Sequence, residues 1–482
     1  MNVNRVNLWM AMLLSAMAGA MGWGIRGQYG HQTGAMIAGL LVGLVLVMLF
    51  ARNMCALSGA RAVAFTTLGI AVGGSMTYGQ TVGLTHDGPL IGNWDALRWG
   101  MLGLFLKGAI WIGLAGLLLG MSLSKTRYQP AELALMFVSA IFLRFWGIQL
   151  LNEPFLPADK ILPALYFSDD WFWEPDGDLK PRRELWGGLL VALAALTAYV
   201  RWVRFDRLAF RLALIGFLSG GLGFSLGQCV QAMYAWNPAW FASGWLAQVT
   251  GHFNWWNMME TTFGAIFAAG LALGGWFHQD WIRDERPSEG TAETAKSIEL
   301  TGVQELLLAI VHLSAVTAWS FGGNESLGMF AGIGYTMIVV PLVAVSMGRY
   351  WPFIVVFPLV LIPIAGKTLR HITYETERFS VASGWFWFIL LPIGLFFVMV
   401  PMFARHAHNT NARGFACLTL PLVAWMYFGL NYAFFEFPWP WREWTGRTPN
   451  GLIFSVCVLS LTVAAWYYGR RVSAEHTREG AP

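Results

Sequence analysis

Long apolar runs alternate with short polar breaks along this chain. Runs such as Met36–Phe50 and Phe388–Met402 are unbroken and lack the every-other-residue alternation of barrel strands, so the pattern predicts helices. About 20 mostly apolar residues cross a membrane's hydrocarbon core. By that rule about 14 spans (12–14) are expected. Their centres fall near residues 17, 42, 70, 111, 141, 193, 218, 267, 311, 337, 359, 393, 424 and 460. Backbone groups in lipid must be satisfied within the segment, which again selects helices. The expected fold is an all-α polytopic transmembrane helical bundle.

The breaks organise the bundle. Residues 152–185, rich in Asp, Trp and Pro, and the almost uncharged 229–256 are expected as outer loops. The charged, small-residue-rich 278–302 reads as a cytoplasmic linker. It divides the chain into a first membrane bundle, 1–277, and a second, 303–469, with a cytoplasmic tail at 470–482. A helix-pair repeat is expected inside the first. Gly73 to Gln80 matches Gly221 to Gln228, and each copy is followed by a helix opening with asparagine and reaching glycine seven residues on, Asn93 to Gly100 and Asn257 to Gly264. Transporters are often built from such repeats, with the site at the repeat interface.

Composition agrees with the pattern. The 482 residues are 56% hydrophobic and 12% charged, where a soluble domain carries roughly 25%. The net charge of +4 says little about partners and gives no support to nucleic-acid binding. The cluster Arg201, Arg204, Arg207 and Arg211 marks its loop as cytoplasmic. Both termini then lie in the cytoplasm, in a multi-pass protein of the inner membrane. Arg5, an apolar run and Ala18-Gly19-Ala20 also fit a cleaved signal peptide. The favoured expectation is a retained first helix whose small residues allow close packing. The four cysteines are scattered and imply no disulfide framework.

Candidate chemistry gathers at helix tips. Trp23 to His31 places Arg26, Gln28 and His31 among glycines at the end of the first span. Gly27-Gln28, Gly79-Gln80 and Gly227-Gln228 are each expected to end an apolar helix, with Trp319 to Asn324 as a looser fourth copy. Arg26 can grip a carboxylate or phosphate through two parallel hydrogen bonds, with Gln28, Gln80, Gln228, Asn257 and Asn324 adding polar contacts. Glu260 stands in the first turn of an apolar helix, where an ionisable group needs a cavity or a partner, and Arg26 is the natural partner for Glu260 or Glu325. Glu260 or His31 is the expected proton carrier or general base. Lys107 and Arg144, inside spans, are either functional or paired structurally.

Tryptophan is abundant, at 26 residues, and many are expected on the outer side, Trp23 and Trp256 among them. Indole faces beside amides and carboxylates suit sugar-like ligands; interfacial anchoring is the alternative. There is no Walker A pattern, HExxH or GxSxG motif. No cofactor or resident metal is expected, since Asp169, Asp170, Glu174, Asp176 and Asp178 lack EF-hand spacing. The leading expectation is a secondary transporter of a polar or anionic, carbohydrate-like small solute. The alternatives are a membrane-embedded glycosyl, acyl or phosphoryl transferase with a lipid-linked donor, and a non-catalytic subunit docking a protein through Trp-rich loops.

Overall fold

The structure is a computed structural model. It describes residues 5–30, 33–168, 181–285, 351–406 and 411–479, with isolated positions between 301 and 318. The described residues form helices and no strand, only isolated bridges. Eleven of these helices are long and apolar enough to cross a membrane. All eleven fall where the apolar pattern predicts spans, and a further helix, Trp351–Leu369, matches the expectation near 359. The span near 337 lies outside the described residues, as does most of that near 311. The protein is a multi-pass helical membrane protein.

The helices that position the site are α1 (Leu8–Arg26), α2 (Thr33–Phe50), α3 (Ala56–Gly73), the short α4 (Gly79–Gly83), α5 (Trp94–Leu123), α6 (Pro130–Leu151), α7 (Trp186–Ala198), α8 (Arg207–Trp236), the short α9 (Gly244–Thr250) and α10 (Trp255–Phe277). They are followed by α11 (Trp351–Leu369), α12 (Val381–Trp385), α13 (Leu391–His406), α14 (Ala412–Phe434) and α15 (Thr448–Glu479). Short polar side chains fix several starts. Asn7, Asn93, Asp206, Asn254 and Asn411 each accept a hydrogen bond from a first-turn N–H, replacing one of the donors that a helix start leaves unsatisfied. At the other end of α2, Arg413 donates to the carbonyls of Met48 and Leu49 at 2.9 and 3.2 Å, where the helix dipole favours a cation.

Six helices close a ring. α1 packs on α2, α2 on α3, α3 on α5, α5 on α8, α8 on α10, and α10 returns to α1. The pair α6–α7 leans on the ring through α5, and α14–α15 pack on α1 and α2. Helices from before and after the 278–302 stretch therefore touch directly. Small residues allow the tightest approach: a Cβ at Gly19 would overlap the Gly264 carbonyl, and one at Gly264 would overlap that of Gly19. Membrane helices gain cohesion from such close backbone contact, since lipid supplies no hydrophobic drive between them.

Up-down connectivity gathers the turn residues 27–30, 74–93, 152–168, 181–185, 237–254 and 435–447 on one face, called here the site face. The opposite face is tied by the segment that follows α10. Arg283 donates from its backbone to Leu123 O at 2.9 Å, and Glu285 from its backbone to Asn53 O at 2.8 Å. The Glu285 carboxylate accepts from Cys55 N at 2.8 Å and Ser58 Oγ at 2.9 Å and pairs with Arg283 at 3.0 Å. Burial pushes this carboxyl up, but the Cys55, Ser58 and Arg283 contacts outweigh it and hold Glu285 below its ordinary value.

Candidate functional site

The site grows out of the register between α1 and α10. On α1, Gly19, Trp23 and Arg26 recur every three or four residues and share one helix face. On antiparallel α10, Glu260, Phe263, Gly264 and Phe267 do the same. Each step down α1 is matched by a step up α10, so Arg26 meets Glu260, Trp23 meets Phe263, and Gly19 meets Gly264.

Arg26 and Glu260 form a buried ion pair. Arg26 Nη1 donates to Glu260 Oε1 at 2.9 Å, and the two residues are only 2% and 1% exposed. Arg26 also donates to the Tyr78 hydroxyl, which hydrogen-bonds Glu260 as well. Burial pushes the Tyr78 phenol up to about 12 against the pull of Arg26, so it stays protonated at neutral pH. Glu260 further accepts from Trp256 Nε1 and Asn257 Nδ2, both at 3.3 Å. Below the guanidinium, the rings of Trp23, Tyr78 and Trp111 lie 4.9–5.4 Å from its central carbon, giving cation–π contacts in place of water. Trp23, Trp111, Phe224, Phe263 and Phe267 continue downward as an aromatic plug in the ring, Trp23–Phe263 at 4.6 Å and Phe224–Phe263 stacked at 4.7 Å.

The pair borders a polar cleft. Asn257 Nδ2 also bonds Gly24 O at 2.5 Å, while its Oδ1 is buried with no hydrogen-bond partner. Asn257, Asn431, Asn450, Arg447 and the rings of Phe428, Tyr432, Phe435 and Phe454 line a narrow cleft between α10, α14 and α15, about 270 Å³ when the space on its open side is counted. Asn450 Oδ1 is likewise buried without a partner among the described residues, and Asn431 Nδ2 makes no well-formed hydrogen bond although it lies beside the Tyr29 hydroxyl. Buried amides normally find partners, and each orphan costs free energy. Arg447 rests on the Phe435 ring, 4.0 Å from its centre. Burial pushes Arg447 down to about 10, with Glu260 pulling the other way, so it remains cationic at neutral pH. The cleft thus offers two carbonyl acceptors, an amide donor and a cation on aromatic walls.

Of the residues expected at the site, Trp23, Arg26, Trp256, Asn257 and Glu260 come together. Gln228 is held apart: its Nε2 donates to Thr85 Oγ1 at 2.6 Å. Gln28 is half-buried, and its backbone carbonyl accepts from Lys367. Gln80 is half-buried in the first turn of α4. His31, Asn324 and Glu325 lie outside the described residues, as do Asp169, Asp170, Glu174, Asp176 and Asp178. No cluster among the described residues suits a metal ion.

The shared Gly-Gln helix ending is corrected by the structure. Only Gly27 caps a helix, and its backbone is right-handed. Gly79-Gln80 opens α4 instead, and Gly227-Gln228 sits well inside α8, which runs on to Trp236. What Gly27 and Gly227 share is contact with α10: a Cβ at Gly27 would strike Glu260 Oε2, and one at Gly227 would crowd Met259 O. The second helix of the repeat is capped by Asn254 and not Asn257, which leaves Asn257 free to reach the cleft.

Tyr78, Trp111, Arg447 and Asn450 were not singled out from the sequence. Asn450 and Arg447 flank the start of the last span, and the reasoning that selects Asn257, a polar side chain in the first turn of an apolar helix, reaches them too. Tyr78 carries no comparable signal. Many site-face tryptophans cover one another or neighbouring rings, with Trp94 on Trp236 at 4.9 Å, Trp439 on Trp441 at 4.6 Å and Trp255 stacked on Tyr234 at 4.5 Å.

Within the ring, Lys107 is also paired. Its Nζ donates to Glu184 at 2.6 Å, Thr81 at 2.7 Å and Ser168 at 3.2 Å, fixing both sides of the 152–185 loop to the bundle. Comparison with protein-family models, with curated proteins and with solved structures returns no match.

Proposed function

We propose that this protein is a secondary transporter of a small polar or anionic solute, bound first in the asparagine cleft on an outward-facing site face of the inner membrane. The observation that carries this reading is the placement of the Arg26–Glu260 pair directly behind the cleft, joined to it through Asn257. A solute presenting hydroxyl or amine donors satisfies Asn257 Oδ1 and Asn450 Oδ1. Its acceptor or anionic group meets Asn431 Nδ2 and Arg447. Asn257 is then drawn toward the solute, which removes one of the hydrogen bonds on Glu260. Because Arg26–Glu260 bridges α1 and α10 above the aromatic plug, weakening it frees the two helices to part. Glu260, once released, is the proton carrier.

Thermal shift of the detergent-purified protein against glucose, gluconate, succinate and inorganic phosphate identifies the solute class. Uptake of the radiolabelled hit into proteoliposomes then tests transport. Glu260→Gln is expected to bind the hit and fail to accumulate it. Wild-type uptake by both Glu260→Gln and Arg26→Ala sinks the reading.

One observation favours a membrane transferase instead. Asn257, Asn431 and Asn450 all lie within a turn of their helix ends, whereas transporter sites usually lie near the midplane. In that case a lipid-linked donor is consumed in the presence of the hit, and no labelled solute crosses the bilayer.

A further inference from the structure

A second cavity lies outside the ring, between α3, α5, α6 and α7. It is a groove lined by Leu68, Leu114, Leu118, Phe137, Leu189 and Leu196 among others, about 560 Å³ when the space on its open side is counted. Its lining holds one polar side chain, Arg144. Arg144 is only 6% exposed, its Nε is buried without a hydrogen-bond partner, and it pairs with no acid among the described residues. Lys107, fully buried in the same bundle, spends all three of its donors on Glu184, Thr81 and Ser168. A guanidinium within a span, its Nε buried and no acid beside it, is costly in the membrane. Nothing in the described chain offsets that cost.

The cavity is also directional. Phe137 to Arg144 on α6 and Leu189 to Leu196 on α7 each cover seven residues, about 10 Å of helix rise. The two helices run antiparallel, so Arg144 and Leu189 mark the end nearer the site face, and Phe137 and Leu196 mark the end nearer the opposite face. On its outer side α6 exposes Phe142, Phe145 and Trp146, the surface of a lipid-facing helix. We infer that this cavity binds an acyl chain whose anionic group, a lipid phosphate or a fatty-acid carboxylate, sits on Arg144 with the chain running toward the opposite face. The guanidinium supplies charge-assisted hydrogen bonds, and the leucine walls take the chain.

Native mass spectrometry of the full-length protein in detergent tests this, with dioleoyl phosphatidylglycerol, dioleoyl phosphatidylcholine and oleate as probes. An anionic probe is expected to bind at least about tenfold more tightly than phosphatidylcholine, and Arg144→Met to remove that preference. Retention of phosphatidylglycerol identifies a lipid headgroup, and retention of oleate alone a free acid; either supports the inference. Ala192→Phe, which fills the cavity and leaves Arg144 in place, is expected to weaken the same probe. It keeps the test decisive should Arg144→Met fold poorly. Equal binding of all three probes, or undiminished anionic binding in a folded Arg144→Met or Ala192→Phe protein, overturns the inference.

Discussion

Lys107–Glu184 and Arg26–Glu260 are both buried cation–carboxylate pairs joining distant parts of the chain, yet their surroundings differ. Around Lys107 every donor of the ammonium is used, and Glu184 accepts in addition from Phe167 N, Ser168 Oγ and Trp186 Nε1 at 2.7–3.0 Å. Arg26–Glu260 is also densely bonded, but one of its supports, Asn257, lines a cleft and keeps a buried carbonyl without a partner among the described residues. A buried ion pair gives little net stability once desolvation is counted, although breaking one side is expensive. A closed network therefore suits a lock. A network with one unsatisfied polar atom beside a cleft can respond to a ligand.

The largest effect is expected at the lock. Lys107→Met strands Glu184 and is predicted to cost about 3–5 kcal/mol, seen as a steep loss of folded yield and melting temperature. Adding Glu184→Gln removes the stranded charge and is expected to recover much of it. A double variant no more stable than the single one would show that packing, not charge, dominates there.

Next comes the interface that sets the register. Gly19→Leu pushes α1 off α10 and is predicted to cost about 1–3 kcal/mol by overpacking, together with loss of any solute-induced thermal shift. A melt matching wild type would mean the helices are not as close as described. Glu260→Gln is expected to cost about 1–3 kcal/mol, less than Lys107→Met, because Trp256, Asn257 and Tyr78 can still bond the amide and the aromatic rings still hold Arg26. If Glu260→Gln proves the more damaging of the two, the contrast between lock and responsive pair fails.

Asn450→Ala and Asn431→Ala remove cleft amides whose contacts within the protein are weak, a 3.4 Å contact from Asn450 Nδ2 to Met258 Sδ and the approach of Asn431 to the Tyr29 hydroxyl. Their melting temperatures are expected to change little, by under about 1 kcal/mol, while stabilisation by the solute disappears. Retained solute stabilisation in both variants would place binding elsewhere. The smallest effect is at the opposite face. Glu285 is held below its ordinary value of 4.5, so its contribution is present above that pH and is lost as pH falls through the lower folded value. Hydrogen exchange of residues 53–58 is expected to rise below about pH 4.5, and Glu285→Gln to abolish that pH step. A step unchanged in the variant would assign it to another group.

Much of the fold was legible in the chain because lipid imposes a simple rule: long apolar runs become helices. Arg26, Asn257 and Glu260 were legible for a related reason, since polar groups at the ends of apolar helices need partners. The Gly-Gln tips misled because glycine has two uses. It can cap a helix, or it can let another helix approach, and only the packing against α10 shows that Gly27 and Gly227 do the second. Lys107 and Arg144 look alike in sequence, each a lone cation within a span. One finds Glu184 from a loop far along the chain, and the other finds an apolar cavity.

The sequence by itself determined that this is an all-helical membrane protein, where most of its spans run and which polar residues stand at their ends, because hydropathy and capping act over one or two helical turns. Only the tertiary structure decided that α1 and α10 meet in the register that pairs Arg26 with Glu260. It also decided that Tyr78 and Trp111 enclose the pair and that Asn257, Asn431 and Asn450 from three helices line one cleft. Those outcomes depend on side-chain shapes matching across segments hundreds of residues apart, which no local pattern records.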